Sequence, residues 1–171
     1  MLSSRGPISL RRLGVDDWQL WRSLRLQALT EAPYAFGSTL SDWQGKGDTE
    51  TRWRGRLADV PFNIVADWQE TAAGMASGTA PTPTGSVELL SMWVAPFARG
   101  RGVGESLVTG VIQWARQERA SRVDLAVFEG NERALALYRR CGFVDVYSDD
   151  DSRRGSPIER KLVYALDPIK I

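Results

Sequence analysis

Apolar and polar residues alternate along the N-terminal half of the chain in a pattern that predicts helices and short strands. Helical spacing is clearest from Val15 to Thr30, where Asp16 or Asp17 can cap the first turn. Pro33 and Gly37 then break the pattern between two short helices. The other elements predicted in this half are a strand at Ile8 to Arg12, a helix at Asp48 to Asp59, and strands at residues 61–68 and Thr71 to Thr79.

The C-terminal half has a sharper pattern, in which three glycines separate a strand from a helix. Gly100, Gly102 and Gly104 fall within five residues, and a second apolar strand follows the helix. This order of elements is a βαβ unit, which implies parallel neighbouring strands. The predicted elements are strands at Val87 to Val94, Val123 to Phe128, Phe143 to Tyr147 and Glu159 to Leu166, and helices at Gly102 to Arg119 and Asn131 to Cys141.

Composition places the chain among globular domains without obvious macromolecular targets. Its 171 residues suit one domain, and 43% are hydrophobic and 25% charged. The net charge of +1 gives no electrostatic argument for nucleic acid or a membrane surface. No apolar run approaches the roughly 20 residues needed to span a bilayer, and the N-terminus lacks the apolar core of a secretory signal. A single cysteine, Cys141, favours the reducing cytoplasm.

The chain contains no histidine, which restricts the chemistry available to it. Catalysis by Ser-His-Asp or Cys-His groups is excluded, as is any histidine-ligated metal site. One cysteine cannot build a zinc site, so no metal is expected. The remaining groups are carboxylates, tyrosine, cysteine, arginine, lysine and the backbone.

The glycine-rich loop has several interpretations. A P-loop requires Lys-Ser or Lys-Thr after the glycines, and neither follows here. A dinucleotide loop requires G-x-G-x-x-G directly after a strand, whereas this loop is spaced G-x-G-x-G and begins after Pro96 to Arg99. The other two interpretations are a pyrophosphate cradle at a helix N-terminus and an ordinary turn that starts a helix.

Two motifs in the C-terminal half resemble the signatures of the GNAT N-acetyltransferase family. Arg99-x-x-Gly102-x-Gly104 matches the first motif, and Asn131-x-x-Ala134-x-x-x-Tyr138, ending in Gly142-Phe143, matches the second. The resemblance implies transfer of an acetyl group from acetyl-CoA to a primary amine of a small molecule or peptide. It also implies an α/β fold, with a mixed, mostly antiparallel sheet opened at a splayed parallel pair and helices on both faces. One domain would cover residues 1–171, with the acetyl-CoA-binding core at about 87–147, and family members commonly form homodimers.

By this resemblance, the cofactor would lie along one strand end and the glycine-rich loop. Backbone groups of the strand would face the acetyl thioester, and one N–H near Val94 could polarise its carbonyl. The loop would surround the pyrophosphate. The residues expected to bind acetyl-CoA are Met92, Trp93, Val94, Arg99, Gly100, Arg101, Gly102, Val103, Gly104, Glu105, Asn131 and Tyr138.

Tyr138 is the candidate general acid of this resemblance. A phenol of pKa about 10 could protonate a departing thiolate of pKa about 8.5, or hold it by a hydrogen bond. The apolar spacing of its helix equally allows a buried structural tyrosine. Asn131 could bind the pantetheine arm, cap its helix, or do both.

Glu88 is the candidate base, because an alkylammonium group of pKa about 10.4 must lose a proton before it attacks. It lies eleven residues before Arg99, an offset similar to that of the base glutamate in the histone-acetylating branch. A solvent-facing charge at a strand start is the alternative. The branch that acetylates ribosomal-protein N-termini has a glutamate five residues before the motif asparagine, and here that residue is Ala126.

Other side chains could shape the acceptor site or take different roles. Tyr34, Phe36 and Trp43 are candidates for the acceptor wall, because helices of this region shape it in relatives. Cys141 could serve as a nucleophile, but a structural cysteine is the better interpretation without a histidine to activate it. A non-catalytic sensor that binds acyl-CoA on the same fold is the alternative function.

Overall fold

The computed structural model describes residues 7–146 and 159–166. Tyr147, the predicted end of one strand, lies outside these ranges. The helices are Trp18–Glu31 (α1), Leu40–Trp43 (α2), Glu50–Asp59 (α3), Val103–Gln117 (α4) and Glu132–Arg140 (α5). The strands are Ile8–Arg12 (β1), Phe62–Trp68 (β2), Thr71–Gly78 (β3), Ser86–Val94 (β4), Arg122–Phe128 (β5), Val144–Val146 (β6) and Glu159–Ala165 (β7).

The seven described strands form one sheet in the order β1-β2-β3-β4-β5-β7-β6. Strands β4 and β5 pair in parallel, and the other neighbours pair antiparallel. The parallel ladder is short, because it runs only from Ser86–Arg122 to Glu88–Asp124. Beyond Glu88 the two strands diverge, so the predicted mixed sheet with a splayed parallel pair is confirmed.

Helices cover both faces of the sheet, as strand β2 illustrates. Successive strand residues point to opposite faces. Ile64 packs in a core cluster with residues of α4 and α5, whereas the next residue, Val65, packs in a second cluster with Trp21 of α1 and Trp53 of α3. The two clusters account for the apolar faces predicted along α1, α3, α4 and α5.

Strand β4 contains an irregularity just before its C-terminal end. Its register with β3 shifts between Met75 and Ser77, and Ser91 has a positive φ of 53°. This geometry is a β-bulge, which bends a strand and changes the direction of its side chains and amides. The bulge therefore contributes to the divergence of β4 from β5.

The predicted cap of α1 differs in detail from the structure. A short 3₁₀ turn, Val15–Asp17, precedes the helix, and α1 begins at Trp18. The Asp17 carboxylate accepts a hydrogen bond of 2.8 Å from the Gly14 N–H, not from an N–H of α1. Asp17 thus stabilises the turn that leads into the helix.

Candidate active site

Two cavities meet at the point where β4 and β5 separate. The larger, about 790 Å³, is lined by the glycine-rich loop, the end of β4 and one side of α5, and is called here the loop cavity. The smaller, about 380 Å³, lies beside the splayed strands against α1 and α3, and is called here the fork cavity. The residues that line both are Ala35, Phe36, Met92 and Tyr138. A molecule in one cavity can therefore contact a molecule in the other.

The N-terminus of α4 lines the loop cavity. Gly102 is the N-cap residue and has φ +88°, a left-handed conformation that suits glycine. The first backbone hydrogen bond of α4 runs from the Ser106 N–H to the Gly102 carbonyl, at 3.1 Å. The first-turn N–H groups of α4 are therefore free of intrahelical partners, and the helix dipole adds positive potential there. Such a terminus binds phosphate groups well.

Gly104 has a packing role in addition to its place in the loop. A Cβ at this position would lie 2.9 Å from Leu137 Cδ2 and 3.5 Å from Met92 Cε. The absence of a side chain therefore lets α4 approach α5 closely. This contact links the two sequence motifs, since Leu137 directly precedes Tyr138.

The Arg99 side chain contacts a carboxylate that sequence analysis did not identify. Its Nη2 lies 2.7 Å from Glu31 Oε2, its Nη1 3.0 Å from Glu31 Oε1, and its Nε donates to the Val94 carbonyl. The Trp93 indole also donates to Glu31. Hydrogen bonding from Arg99 holds the pKa of Glu31 below its usual value. The Arg99 charge is thus largely neutralised beside the cradle, and Arg99 fixes the end of α1 to the end of β4.

The cations that line the loop cavity differ in part from those expected. Arg101 is exposed, its guanidinium lies over the Trp68 ring at 5.2 Å, and it is outside the cavity lining. Arg133 and Arg140 of α5 line the cavity instead. Their place at the start and end of a motif helix was the only sequence signal for them.

The end of β4 has backbone groups that β5 does not use. The Ala95 N–H donates to the Ala73 carbonyl on the β3 side, at 2.8 Å. Because amides alternate in direction along a strand, the Val94 N–H lies on the opposite side, toward the splay. The same alternation turns the Trp93 amide toward β3, where Trp93 pairs with Met75. Met92, Trp93 and Val94 all line the loop cavity, and of the last two only Val94 turns its N–H toward the splay.

Tyr138 lies at the junction of the two cavities. Its side chain is only 6% exposed, and its ring makes an edge contact with Phe143 at a centroid distance of 5.9 Å. Burial, and to a lesser extent Cys141, raises the pKa of Tyr138 above its usual value. The phenol therefore keeps its proton at neutral pH and can donate a hydrogen bond.

Glu88 lines the fork cavity at the last pair of the parallel ladder. Its side chain is exposed, yet partial desolvation and then the charges of Asp124 and Glu159 raise its pKa above the usual value. A carboxylate with a raised pKa accepts a proton more readily. Glu88 and Tyr138 therefore line the same cavity.

Asn131 and Cys141 mark the two ends of α5. The Asn131 side chain accepts from the Ala134 N–H at 3.4 Å, so it is the N-cap of α5, and it also lines the loop cavity. Cys141 is half-buried and lines neither cavity. Burial raises the pKa of its thiol, which lowers the thiolate population and agrees with a structural cysteine.

The three residues expected at the acceptor wall are divided between the cavities. Phe36 lines both, Trp43 lines only the fork cavity, and Tyr34 lines only the loop cavity. Sequence analysis missed two arginines that line the fork cavity, Arg25 and Arg56. The signal for Arg25 was its position on the apolar stripe of α1, four residues from both Trp21 and Leu29.

The fold and site define the class to which this chain belongs. Residues 21–143 match the model of the acetyltransferase (GNAT) family, so the chain belongs to this family. Among the described residues, no group of three or more histidine, cysteine, aspartate or glutamate side chains could hold a metal ion. None of the described helices is long and apolar enough to cross a membrane.

Individual relatives agree with this assignment. The mycothiol acetyltransferase of Salinispora tropica is 32% identical over 137 residues, which are 77% of this chain and 42% of that protein. The chain thus spans less than half the length of this relative. The PaiA N-acetyltransferase of Thermoplasma acidophilum, solved in complex with coenzyme A, shares 14% identity and a TM-score of 0.71 over 94% of this chain and 99% of its own. The ribosomal-protein-S5-alanine acetyltransferase of Vibrio fischeri shares 15% identity and a TM-score of 0.76 over 96% of each chain.

Proposed function

We propose that this protein transfers an acetyl group from acetyl-CoA to a primary amine by direct attack within a ternary complex. The observation that carries the proposal is the junction of the two cavities at Tyr138 and Met92. A donor in the loop cavity and an acceptor in the fork cavity would meet there, beside the backbone that β5 leaves free. Direct attack is favoured over an acetyl-cysteine intermediate, because Cys141 lines neither cavity.

Acetyl-CoA would occupy the loop cavity without a metal ion. Its pyrophosphate would accept hydrogen bonds from the first turn of α4, with Gly100 and Gly102 allowing close approach. Arg133 would add positive charge, whereas Arg140 lies 3.6 Å from the Glu105 carboxylate and is partly neutralised by it. Asn131 would border the pantetheine arm. Coenzyme A in the PaiA N-acetyltransferase supports this donor, since that protein has the same fold.

The reaction begins with removal of a proton from the acceptor ammonium. Glu88, directly or through a water molecule, takes this proton, and its raised pKa favours the transfer. The amine nitrogen then attacks the thioester carbonyl carbon, and the Val94 N–H stabilises the oxyanion that forms. Collapse of the tetrahedral intermediate breaks the carbon–sulfur bond and releases CoA as a thiolate, and the nitrogen gives its second proton to water as the neutral amide forms.

Tyr138 would stabilise that thiolate. Its pKa, raised above about 10, exceeds that of a thiol at about 8.5, so a hydrogen bond from the phenol is favoured over complete proton transfer. The thiolate would take its proton from solvent after release. Tyr138 thus acts as an electrostatic catalyst at the point where negative charge leaves the acetyl group.

The relatives do not identify the acceptor of this chain. The mycothiol acetyltransferase is more than twice as long as the matched region, and the ribosomal-protein acetyltransferase shares only the fold. Ala126, which lines the fork cavity, stands where the ribosomal branch has its glutamate. The cytoplasmic location and the homodimer stay predictions.

Release of CoA thiol from acetyl-CoA in the presence of a panel of primary amines tests the proposal. We expect amine-dependent release with at least one compound, together with the matching N-acetylated product by mass spectrometry. A sensor that binds acyl-CoA would bind acetyl-CoA in a titration and release no thiol with any amine. That result would support the sensor function and contradict the enzymatic one.

A further inference from the structure

The fork cavity contains hydrogen-bond donors that have no acceptor. Trp21 Nε1 and Arg25 Nη1 are buried, and neither has a hydrogen-bond partner among residues 7–146 and 159–166. Both residues line the fork cavity. Trp21 is fully buried, so its indole stays unpaired inside the core, whereas an unpaired charged group beside a cavity indicates that a ligand supplies its partner.

Arg25 is an unusual residue for the interior of a domain. It is 8% exposed, and its guanidinium lies over the Phe36 ring at 4.5 Å. Burial, and secondarily the charge of Arg56, lowers the pKa of Arg25 to about 10, so the group remains cationic at neutral pH. An uncompensated buried charge destabilises a fold strongly. One turn earlier on the same helix, Arg22 has a carboxylate partner, because its Nε donates to Asp48 at 2.6 Å.

Arg56 adds a second cation that is held without being neutralised. Its guanidinium donates to Asn63 Oδ1 at 3.1 Å and to the hydroxyls of Ser77 and Ser91, each at 3.2 Å. These acceptors are neutral. The guanidinium also lies over the Trp21 ring, 5.2 Å from its centroid. Arg56 is thus fixed in position and keeps its positive charge toward the same part of the cavity.

The lining of the fork cavity also contains carboxylates. Glu88 and Glu159 come from β4 and β7, whereas the two arginines come from α1 and α3. A molecule with an anionic and a cationic end would match this division. The net charge of +1 conceals it, because the total for the chain says nothing about the local field in a cavity.

We propose that the acceptor is a small amine that also carries a carboxylate, which pairs with the Arg25 guanidinium. The inference rests on the proposed acetyl transfer, and it assigns the class of acceptor. Arg56 supplies additional positive potential, and the amine extends toward Glu88 and Tyr138. A cavity of about 380 Å³ accommodates a molecule of amino-acid size.

Pairs of amines that differ only in the carboxylate test the assignment. Lysine and cadaverine form one pair, phenylalanine and phenethylamine another, and O-phosphoethanolamine represents a phosphate in place of the carboxylate. For at least one pair we expect kcat/KM to be about 100-fold higher with the carboxylated member, as loss of one partner of a buried charge pair implies. Equal values within every pair would overturn the assignment, and so would preference for the phosphorylated amine.

Arg25→Met isolates the role of the buried cation. We expect KM for the carboxylated amine to rise about 100-fold, while kcat/KM for its decarboxylated counterpart stays the same. The melting temperature of the ligand-free variant should not fall, because an unpaired charge has been replaced by an apolar chain of similar length. A lower melting temperature, or equal loss of activity with both amines, would make Arg25 structural and overturn the proposal.

Arg54→Met is the matched control. Arg54 lies two residues before Arg56 on α3, but it lines neither cavity and pairs with Asp16 and Glu50. This variant removes the same charge and should leave both amines unaffected. If no amine releases CoA, the proposed function fails. Binding of the carboxylated amines then tests the inference separately. Lysine and phenylalanine should raise the melting temperature of the wild type and leave that of Arg25→Met unchanged. The absence of a shift in both proteins would overturn the inference.

Discussion

Removal of the Tyr138 hydroxyl tests the leaving-group step in isolation. Phenylalanine keeps the buried ring and its edge contact with Phe143, so Tyr138→Phe should change the free energy of unfolding by less than about 1 kcal/mol. The substitution removes only a hydroxyl, so the shape of the loop cavity stays nearly the same. We therefore expect the dissociation constant for CoA to stay within about threefold of the wild-type value, equivalent to about 0.7 kcal/mol.

Turnover should fall by an amount that identifies the role of the phenol. A hydrogen bond to a charged group contributes about 1.5–3 kcal/mol, which corresponds to a loss of about 10- to 150-fold in kcat. Complete proton transfer by a general acid would contribute about 10²- to 10⁴-fold. The raised pKa of Tyr138 favours the smaller range, since the phenol holds its proton tightly.

The assay combines CoA thiol release at saturating amine with a CoA titration and a thermal melt. Tyr164→Phe is the control, because the Tyr164 ring also contacts Phe143, while its hydroxyl accepts from Arg116 and lines neither cavity. The control should keep wild-type kcat. Turnover of Tyr138→Phe within about threefold of the wild type would refute the proposed stabilisation of the thiolate.

Three further changes probe the base, the cradle and the ion pair that supports it. Glu88→Gln should lower kcat/KM by at least about 10²-fold and remove the acidic limb of the pH–rate profile. Because the pKa of Glu88 is raised, the midpoint of this limb in the wild type should lie above the usual glutamate pKa. A limb that persists in the variant would mean that another group is the base. Gly102→Ala puts a Cβ at φ +88°, which costs roughly 1–2 kcal/mol and should lower the melting temperature by about 2–8 °C; an unchanged melt contradicts the strained position. The lowered pKa of Glu31 means that its pair with Arg99 stabilises the fold above the usual glutamate pKa and stops doing so as pH falls through the lowered value. Glu31→Gln should therefore lower the urea midpoint at pH 7, and this loss should shrink as the pH falls below the usual glutamate pKa; a loss that does not change with pH would argue against the ion pair.

The motif region was predictable because its signals are local. The apolar stripe of α4, the glycines before it and the Asn131 cap of α5 are each determined within a few residues of sequence. The family motifs extended this local information to a fold, including the splayed parallel pair. The boundaries of α1 were less accurate, since a 3₁₀ turn and a helix have similar side-chain spacing over three residues.

The identity of the side chains that face each cavity was decided only by tertiary structure. Arg99 and Glu31 are 68 residues apart, and no local pattern indicates that they pair. The roles expected for Arg101 and Tyr34 changed for the same reason, since their side chains are oriented by neighbours from distant elements. A family motif specifies which positions surround a cofactor, but it does not specify the partners of each charge.

The sequence by itself determined the class of fold and the place of the glycine-rich loop between β4 and α4, and it indicated Tyr138 and Glu88 as candidates. It could not determine the acceptor environment, because that environment is assembled from α1, α3 and the splayed strands. Arg25 illustrates the reason: an arginine on a helix is usually solvated, and only the packing of Phe36, Trp21 and Arg56 around it turns it into a buried, unpaired cation. Burial depends on contacts between segments that are distant in the chain, and it changes the energetic meaning of the same residue.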